Sequence, residues 1–388
     1  EREICRKNNL REKGVVPITI FQDCLKDARI PIEKCKNPSK TRIFSLSPVD
    51  ATIAYRQYLL DFVVAYKGNG LACENTIGIV VDGPDWTQLY RRLATFSTNI
   101  LNGDYSNFGA SLNAICVKRV AGIINDWYEM NGDHSLLNKQ ARIVIFEEIA
   151  NSVHICKDLV YQTITGMPSG CALTTYVNSL VNALYVRVAY LGVVNFAGIP
   201  RDLQSFDKNV RLFHNGDDLI MSVLSDVIDE FNNQTLQTFF LSAGIKYTDS
   251  LKSSTMAKFC AIEDAVYLKR KFRLQGEGDT TRVYAPLDIN SVTDCANWMW
   301  VSENAVEATA LNIEQSMRLS YGHGKDEFDR IRSILMDKIR KSRAKIQVPF
   351  LSWNALDDEV WNDYDKLYIP PMNRVLKPYD DEEGVRFD

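Results

Sequence analysis

The stretch His214-Asn215-Gly216-Asp217-Asp218-Leu219-Ile220-Met221 sets two adjacent carboxylates at a tight turn between two apolar runs. Val210 to Phe213 and Leu219 to Leu224 read as short strands, and Asn-Gly between such runs is the strongest short hairpin signal. The acids therefore belong to a hairpin tip. Two carboxylates side by side repel each other unless a cation sits between them, so a rigid tip carrying both suits Mg²⁺ or Mn²⁺. Gly-Asp-Asp alone is weak: at average residue usage it turns up by chance in roughly one chain of this length in ten. Its meaning has to come from the surrounding residues.

Those residues belong to a chain of 388, long enough for two or three subdomains around a shared core. The composition, 46% hydrophobic and 24% charged, is ordinary for a globular protein. No apolar run reaches bilayer-spanning length, and Glu1-Arg2-Glu3-Ile4-Cys5-Arg6 is no signal peptide, which reads as a soluble chain without direct membrane insertion. The nine cysteines are odd in number, with no Cys-x-x-Cys pair and no His at zinc-site spacing; reduced thiols in a cytosolic protein are expected. A net charge of −4 argues against a uniformly basic nucleic-acid coat. Charge is instead segregated, with eleven Lys or Arg against six Asp or Glu in residues 1–42 and an acidic run at Asp380-Asp381-Glu382-Glu383.

Upstream of the hairpin, Lys26 and Arg29 precede Lys40-Thr41-Arg42-Ile43-Phe44, where Lys40 and Arg42 share one face if the segment is extended. Such a row suits a polyphosphate, with Lys as point charge and Arg as planar fork, although a basic edge strand would look the same. Asp50 to Tyr66 has helical periodicity, and Asp85 is a candidate N-cap for a helix over Trp86 to Ala94. Asp104 falls where a strand gives way to a loop before the helical pattern Leu112 to Trp127, a common place for a ligand-binding carboxylate. Gly166-Met167-Pro168-Ser169-Gly170 is a turn-forming loop feeding a helix on which Thr174 and Asn178 lie four apart on one face. Downstream, Val227 to Leu241 reads as a helix and Ile245 to Thr248 as a strand, with Lys252 in the loop behind. Val266 to Arg273 alternates apolar and basic residues like a half-buried strand, and Val283 to Leu287 can return beside it. Val301 to Leu319 and Lys325 to Ser342 are helical in pattern; Trp298, Trp300, Trp353 and Trp361 suggest a compact C-terminal subdomain.

In this order the stretches resemble the RNA-dependent RNA polymerases of picorna-like positive-strand RNA viruses, with the insect-virus branches, iflavirus- and dicistrovirus-like, as the narrower candidate. Lys40-Thr41-Arg42 looks like the basic fingers motif and Asp104-Tyr105-Ser106-Asn107-Phe108 like the first palm motif. Met167-Pro168-Ser169-Gly170 with Thr174 and Asn178 looks like the second, and His214 to Asp218 like the acidic hairpin. Gly244 to Ser253 resembles the motif with a mobile lysine, and Tyr267-Leu268-Lys269-Arg270 the primer-grip hairpin. Two positions depart from the pattern. Gly109 stands where the family has a second Asp that holds the helix Asn, so Asn107 or Ser111 is expected to orient Asn178; Asn215 stands where Tyr is commoner.

The resemblance implies an α+β right-hand polymerase fold with fingers, an antiparallel-sheet palm and a helical thumb. The corresponding segments are 1–77 (fingers, N-terminally incomplete), 78–140 (palm), 141–166 (fingers insertion), 167–273 (palm) and 274–388 (thumb). It implies two-metal nucleotidyl transfer from NTPs to a primer 3′-hydroxyl, with Asp104, Asp217 and Asp218 holding Mg²⁺ or Mn²⁺ and Lys252 as general acid. Lys26, Arg29, Lys40, Arg42, Ser169, Gly170, Thr174 and Asn178 would bind the NTP, and Lys269 and Arg270 the primer backbone. Implied partners are template and primer RNA, a protein primer and other viral replication proteins, in the host cytoplasm on virus-remodelled membranes. A reverse transcriptase, an inactive polymerase-fold RNA-binding protein and a metal-dependent nuclease remain the alternatives.

Overall fold

The computed structural model describes residues 1–28, 30–36, 40–194, 199–249, 256–349 and 351–367. Arg29 and Lys252 lie outside the described residues. The chain forms two compact units, Glu1–Ile79 with Gln88–Arg273, and Val80–Thr87 with the described residues from Leu274 on.

The chain runs through α1 (Arg2–Glu12), β1 (Ile20–Leu25), β2 (Ile43–Leu46), α2 (Val49–Gly68), α3 (Pro84–Ala94), β3 (Ile100–Tyr105) and the single turn α4 (Phe108–Ser111). Next come α5 (Ala114–Met130), α6 (Leu136–Ala150), β4 (Val153–Cys156), β5 (Leu159–Gln162) and α7 (Thr174–Val193). The first unit closes with α8 (Leu203–Asn209), β6 (Val210–Asn215), β7 (Asp218–Val223), α9 (Asn233–Ser242) and β8 (Tyr247–Asp249).

Two sheets organise this unit. One has the order β2-β1-β4-β5, with β1 antiparallel to β2 and parallel to β4. Asp23 of β1 ties its strands together, accepting from Ser45 Oγ of β2 at 2.7 Å and from the Tyr161 hydroxyl of β5, with His154 Nδ1 of β4 at 3.0 Å. The other sheet, β6-β7-β3-β8, is antiparallel throughout. Leu101, Leu212, Leu219 and Met221 from its strands share one buried core with Val177 and Val181 of α7 and Leu236 and Phe240 of α9. Because strand side chains alternate and α7 and α9 cover the sheet, the ends of β3 and β7 are left to carry polar residues.

Several expectations shift. The 227–231 segment is turns rather than the start of a helix, because the Asn232 side chain accepts from the Thr235 N–H and the Thr235 hydroxyl answers to the Asn232 N–H, a reciprocal cap that starts α9 afresh. The α3 helix begins at Pro84, so Asp85 is inside its first turn rather than its cap. Val266 to Arg273 is not one strand: Tyr267 and Arg270 exchange two backbone hydrogen bonds of 2.9 Å around Leu268 and Lys269, both at positive φ (51° and 62°). That geometry is a two-residue reverse turn of the kind glycine or asparagine normally supplies. Strand β8 sits at 247–249, later than the apolar run suggested.

In the second unit, β9 (Arg273–Gln275) and β10 (Arg282–Tyr284) form a ribbon, followed by α10 (Ile289–Cys295), α11 (Ala305–Ser320), α12 (Lys325–Lys341) and α13 (Trp353–Leu367). Tyr284, Met317, Tyr321, Phe328 and Trp353 make its core. Trp361 is buried too, whereas Trp298 and Trp300 stay 56% and 66% exposed. No described helix is long and apolar enough to cross a membrane, and all nine cysteines are free thiols.

Candidate active site

The acidic turn is a two-residue hairpin. Asn215 pairs with Asp218, so the loop is Gly216-Asp217, one residue later than an Asn-Gly turn would place it. Gly216 has φ +64, while Asp217 is not at positive φ. Glycine at the first loop position alone is the signature of a type II′ turn, and it satisfies the right-handed strand twist. On the other side of β7, β3 pairs Gly103 with Leu219, and one more step of that register sets Asp104 opposite Asp218. Neighbouring strands bring opposed residues within about 4.5 to 5.5 Å. The three carboxylates, 113 positions apart in sequence between Asp104 and Asp217, are thus gathered at one sheet end.

Their electrostatics record that proximity. Loss of solvation, then the charges of Asp217 and Asp104, push the Asp218 carboxyl up to about 6, with Lys269 pulling the other way. Loss of solvation, then the Asp104 charge, also hold Asp217 above its ordinary value although part of the residue reaches solvent, and Arg42 opposes them. Arg42 and Lys269 are thus two of the predicted cations whose charge acts on the acids. Next to the tip, burial pushes His214 down to about 3, so its ring is neutral at physiological pH. Its backbone N–H donates to Glu74 O and its carbonyl accepts from Thr76 N–H, both at 3.0 Å, laying residues 74–76 along β6. The Asn215 amide donates to Thr76 O at 3.2 Å, and the Thr76 hydroxyl lies 2.7 Å from the Tyr267 hydroxyl, which anchors the turn that carries Lys269.

Strand β2 starts only at Ile43, so Lys40 and Arg42 lie in the approach to it and are exposed. The ladder nonetheless continues for one bond, Lys26 N–H to Arg42 O at 2.8 Å, which sets these two cations across from each other. Like charges directly opposed on a sheet are unfavourable without an anion between them.

The Met167–Gly170 loop runs from the segment around α4 to strand β2. Gly166 N–H donates to Leu112 O and Met167 N–H to Gly109 O, each at 2.8 Å. At the far end a Cβ on Gly170 would stand 2.4 Å from the Ser45 carbonyl oxygen. Ser169 and Gly170 remain exposed. The Thr174 hydroxyl is engaged within the loop, 2.9 Å from Pro168 O and 2.7 Å from Cys171 O. One turn on, Asn178 Oδ1 is buried without a partner. Neither residue expected to orient it does so: Ser111 Oγ donates to Phe108 O at 3.1 Å, and nothing donates to Oδ1 from Asn107. At Gly109 a Cβ would meet nothing within 4 Å.

Residues that no motif pointed to hold the tip. Gly216 N–H donates to Ser179 Oγ at 2.8 Å, and Asn182 Nδ2 reaches Gly216 O at 3.1 Å and Asp217 O at 3.2 Å. Tyr105, the neighbour of Asp104, donates its hydroxyl to Asn182 Oδ1 at 3.1 Å. The one available cue was spacing, since Asn182 continues the i, i+4 row of Thr174 and Asn178 along α7.

Among the described residues, no three carboxylate, imidazole or thiolate groups close a metal shell by themselves. A partial shell is what Mg²⁺ ordinarily takes: one or two carboxylates, with waters and phosphate oxygens for the rest. Mutually repelling acids with raised pKa values at an open sheet end fit that cation.

A profile of the family described as viral RNA-dependent RNA polymerase matches residues 3–340. The chain is 37% identical over 352 residues to the genome polyprotein of Deformed wing virus, covering 90% of this chain and 12% of the polyprotein. It is 30% identical over 360 residues to the replicase polyprotein of Acute bee paralysis virus, covering 91% of this chain and 18% of the polyprotein. The chain thus spans less than a fifth of these relatives. Among solved structures it resembles a Sicinivirus 3Dpol RNA-dependent RNA polymerase with a TM-score of 0.75 at 19% identity, over 92% of this chain and 70% of that one, which establishes the right-hand polymerase fold.

Proposed function

The chain belongs to the viral RNA-dependent RNA polymerase family, and we propose that it extends an RNA primer on an RNA template, joining the α-phosphate of each incoming NTP to the primer 3′-hydroxyl as pyrophosphate leaves. The observation that carries this reading is the convergence of Asp104, Asp217 and Asp218 at one sheet end, with Arg42 and Lys269 acting on them. Asp104 and Asp217 would hold two divalent cations, with Asp218 in support. Bound there, Mg²⁺ or Mn²⁺ lowers the pKa of the attacking hydroxyl and neutralises charge on the attacking and leaving oxygens.

The protein's own side chains do the rest. Lys26 and Arg42, held in opposition, take the triphosphate together with Lys40 and Arg29; the fork of Arg42 suits paired phosphate oxygens. Ser169, Gly170 and Asn178 meet the ribose, Asn178 through the acceptor that lacks a partner, while Thr174 shapes the loop. Lys252 gives a proton to the departing pyrophosphate. Lys269 and Arg270 grip the primer backbone without reading sequence. In this reading 1–77 and 141–166 are fingers, 78–140 and 167–273 palm, and 274–388 thumb. The polyprotein relatives support release from a viral precursor and work beside other replication proteins, a protein primer among them, in the host cytoplasm at replication membranes.

The test is incorporation of labelled ribonucleotides on a primed RNA with Mg²⁺, beside Asp217→Asn. Extension should fall at least about a thousandfold, as for loss of a metal-holding carboxylate, with RNA binding retained. Near-normal extension by Asp217→Asn would refute the metal assignment. Deoxynucleotides in the same assay measure sugar selection and separate a reverse transcriptase from an RNA polymerase.

A further inference from the structure

A hairpin tip of two residues leaves its own peptide groups outside the strand ladder, and in most hairpins water satisfies them. Here three of them are bonded to protein instead, although Asp217 itself reaches solvent. Ser179, Asn182 and Gly216 are buried, and the helix α7 supplies three bonds to the tip: Ser179 Oγ accepts from the Gly216 N–H, and Asn182 Nδ2 donates to the carbonyls of Gly216 and Asp217. The third side of the same amide, Oδ1, accepts the hydroxyl of Tyr105. Tyr105 is itself buried against Phe108, Phe240 and Tyr247, with ring centroids 4.7, 5.5 and 5.2 Å away. One side chain on a helix therefore touches the backbone that carries Asp217 and the residue next to Asp104.

We propose that Asn182, assisted by Ser179 and Tyr105, is a positioning residue that fixes the spacing between the carboxylates of β3 and those of the β6–β7 turn, and so sets the affinity of the site for divalent cations. The strand register alone fixes Asp104 against Asp218, but Asp217 lies beyond the ladder, where a loop can rock without breaking a strand bond. The Asn182 amide removes that freedom by holding the carbonyl on each side of the Asp217 N–H. A cation shared by Asp104 and Asp217 loses affinity when their separation fluctuates, because ordering the ligands then has to happen on binding. This rests on the proposed role of the acids in holding metal.

The test uses Mn²⁺ alone, without RNA or nucleotide, titrated into the whole protein and followed by the loss of free-ion electron paramagnetic resonance signal. Asn182→Leu keeps the heavy-atom branching and removes both donor and acceptor; Mn²⁺ should bind about tenfold more weakly. Ser179→Ala removes a single acceptor and should weaken binding about threefold. Asn209→Leu serves as the structural control: Asn209 is a buried amide of the same unit whose bonds go to Tyr190 and Ser205, away from the turn, and its loss should lower melting temperature with Mn²⁺ affinity within twofold of wild type. Equal loss of Mn²⁺ affinity in Asn182→Leu and Asn209→Leu would mean a merely structural role and overturn the proposal. So would an unchanged affinity in Ser179→Ala, which decides the matter if Asn182→Leu does not fold. Wild type that binds no Mn²⁺ and matches Asp217→Asn in the titration would instead overturn the metal reading itself, and the positioning role with it.

Discussion

Replacing Gly170 by alanine tests how the phosphate-binding approach and the ribose loop are held at one distance. The added Cβ would stand 2.4 Å from the Ser45 carbonyl oxygen and 3.0 Å from its carbon, so about 0.6 Å must open before the nearer contact reaches 3.0 Å. Neither side gives easily. Ser45 is buried, laddered to β1, and donates its hydroxyl to Asp23 at 2.7 Å. The loop is pinned at Met167 by the Gly109 carbonyl at 2.8 Å, and Thr174 closes it from the helix side. The movement therefore appears as a displacement of Ser169 relative to Arg42. Misplacement approaching 1 Å between groups that hold one substrate costs about a hundredfold in rate, so kcat/KM for a single NTP should fall about thirty- to a hundredfold. Because Gly170 is exposed, overpacking there should cost about 1 kcal/mol of stability, the low end of its range. Single-nucleotide extension on a primed template, paired with thermal melting, reads both. Gly122→Ala, a helical site where a Cβ meets nothing within 4 Å, should leave both unchanged or slightly improve stability. If Gly170→Ala kept kcat/KM within threefold of wild type, the contact with Ser45 would not be what sets the geometry.

Three further substitutions or titrations probe the same centre. At Gly103 a Cβ would fall 2.1 Å from ring atoms of Tyr247, which is buried among aromatic rings; Gly103→Ala should lose about 1 to 3 kcal/mol in chemical denaturation, and a variant as stable as wild type would contradict that packing. Asp218 has its carboxyl at about 6, above the unfolded value, so its contribution to the stability of metal-free protein is present at low pH and lost as pH rises through about 6. Protons and Mg²⁺ compete for that carboxylate, and the Mg²⁺ concentration giving half-maximal extension should climb as pH falls below about 6; a flat profile from pH 7 to 5 would be inconsistent with this. Lys269 holds Asp218 down and sits at φ 62°. Lys269→Gly should keep the turn and leave the melting temperature unchanged or raised, while that pH edge moves upward; a downward move would reverse the assigned sign.

Much of the centre was legible because its chemistry needs unusual residue types in fixed local patterns. Adjacent acids between apolar runs, a Met-Pro-Ser-Gly loop before a helix, and alternating cations announce themselves within a few residues. What stayed hidden depends on partners far away in sequence. Ser179 and Asn182 look like ordinary polar residues inside a buried helix until Gly216 and Tyr105 are placed against them. Alternation of apolar and basic residues fits a strand as well as the turn at Leu268-Lys269, and neither residue carries the glycine or asparagine cue for positive φ. Spacing alone extends α9 too far upstream, since Val227, Ile228 and Phe231 keep helical spacing up to the point where the Asn232 cap restarts the chain. Residue type groups Trp298 and Trp300 with Trp353 and Trp361, yet only the latter pair is buried.

A division of labour follows from which polar groups are satisfied. Those that fix position are bonded: the Gly216 N–H and the Gly216 and Asp217 carbonyls by α7, Asp23 by three strands, the Thr174 hydroxyl by its own loop. Those left at energetic disadvantage are the facing cations Lys26 and Arg42, the crowded Asp217 and Asp218, and the buried acceptor of Asn178. An unpaired buried acceptor and like charges held together each cost free energy in the folded state, and each is relieved by a different chemical group. In the proposed reaction those groups are phosphate, divalent cation and ribose hydroxyl, which one metal-bound ribonucleotide brings together. Gly109 sharpens the last of them. With no carboxylate at that position to accept from the Asn178 amide, sugar selection in the proposed reaction would rest on Asn178 directly, its unpartnered Oδ1 taking the ribose hydroxyl.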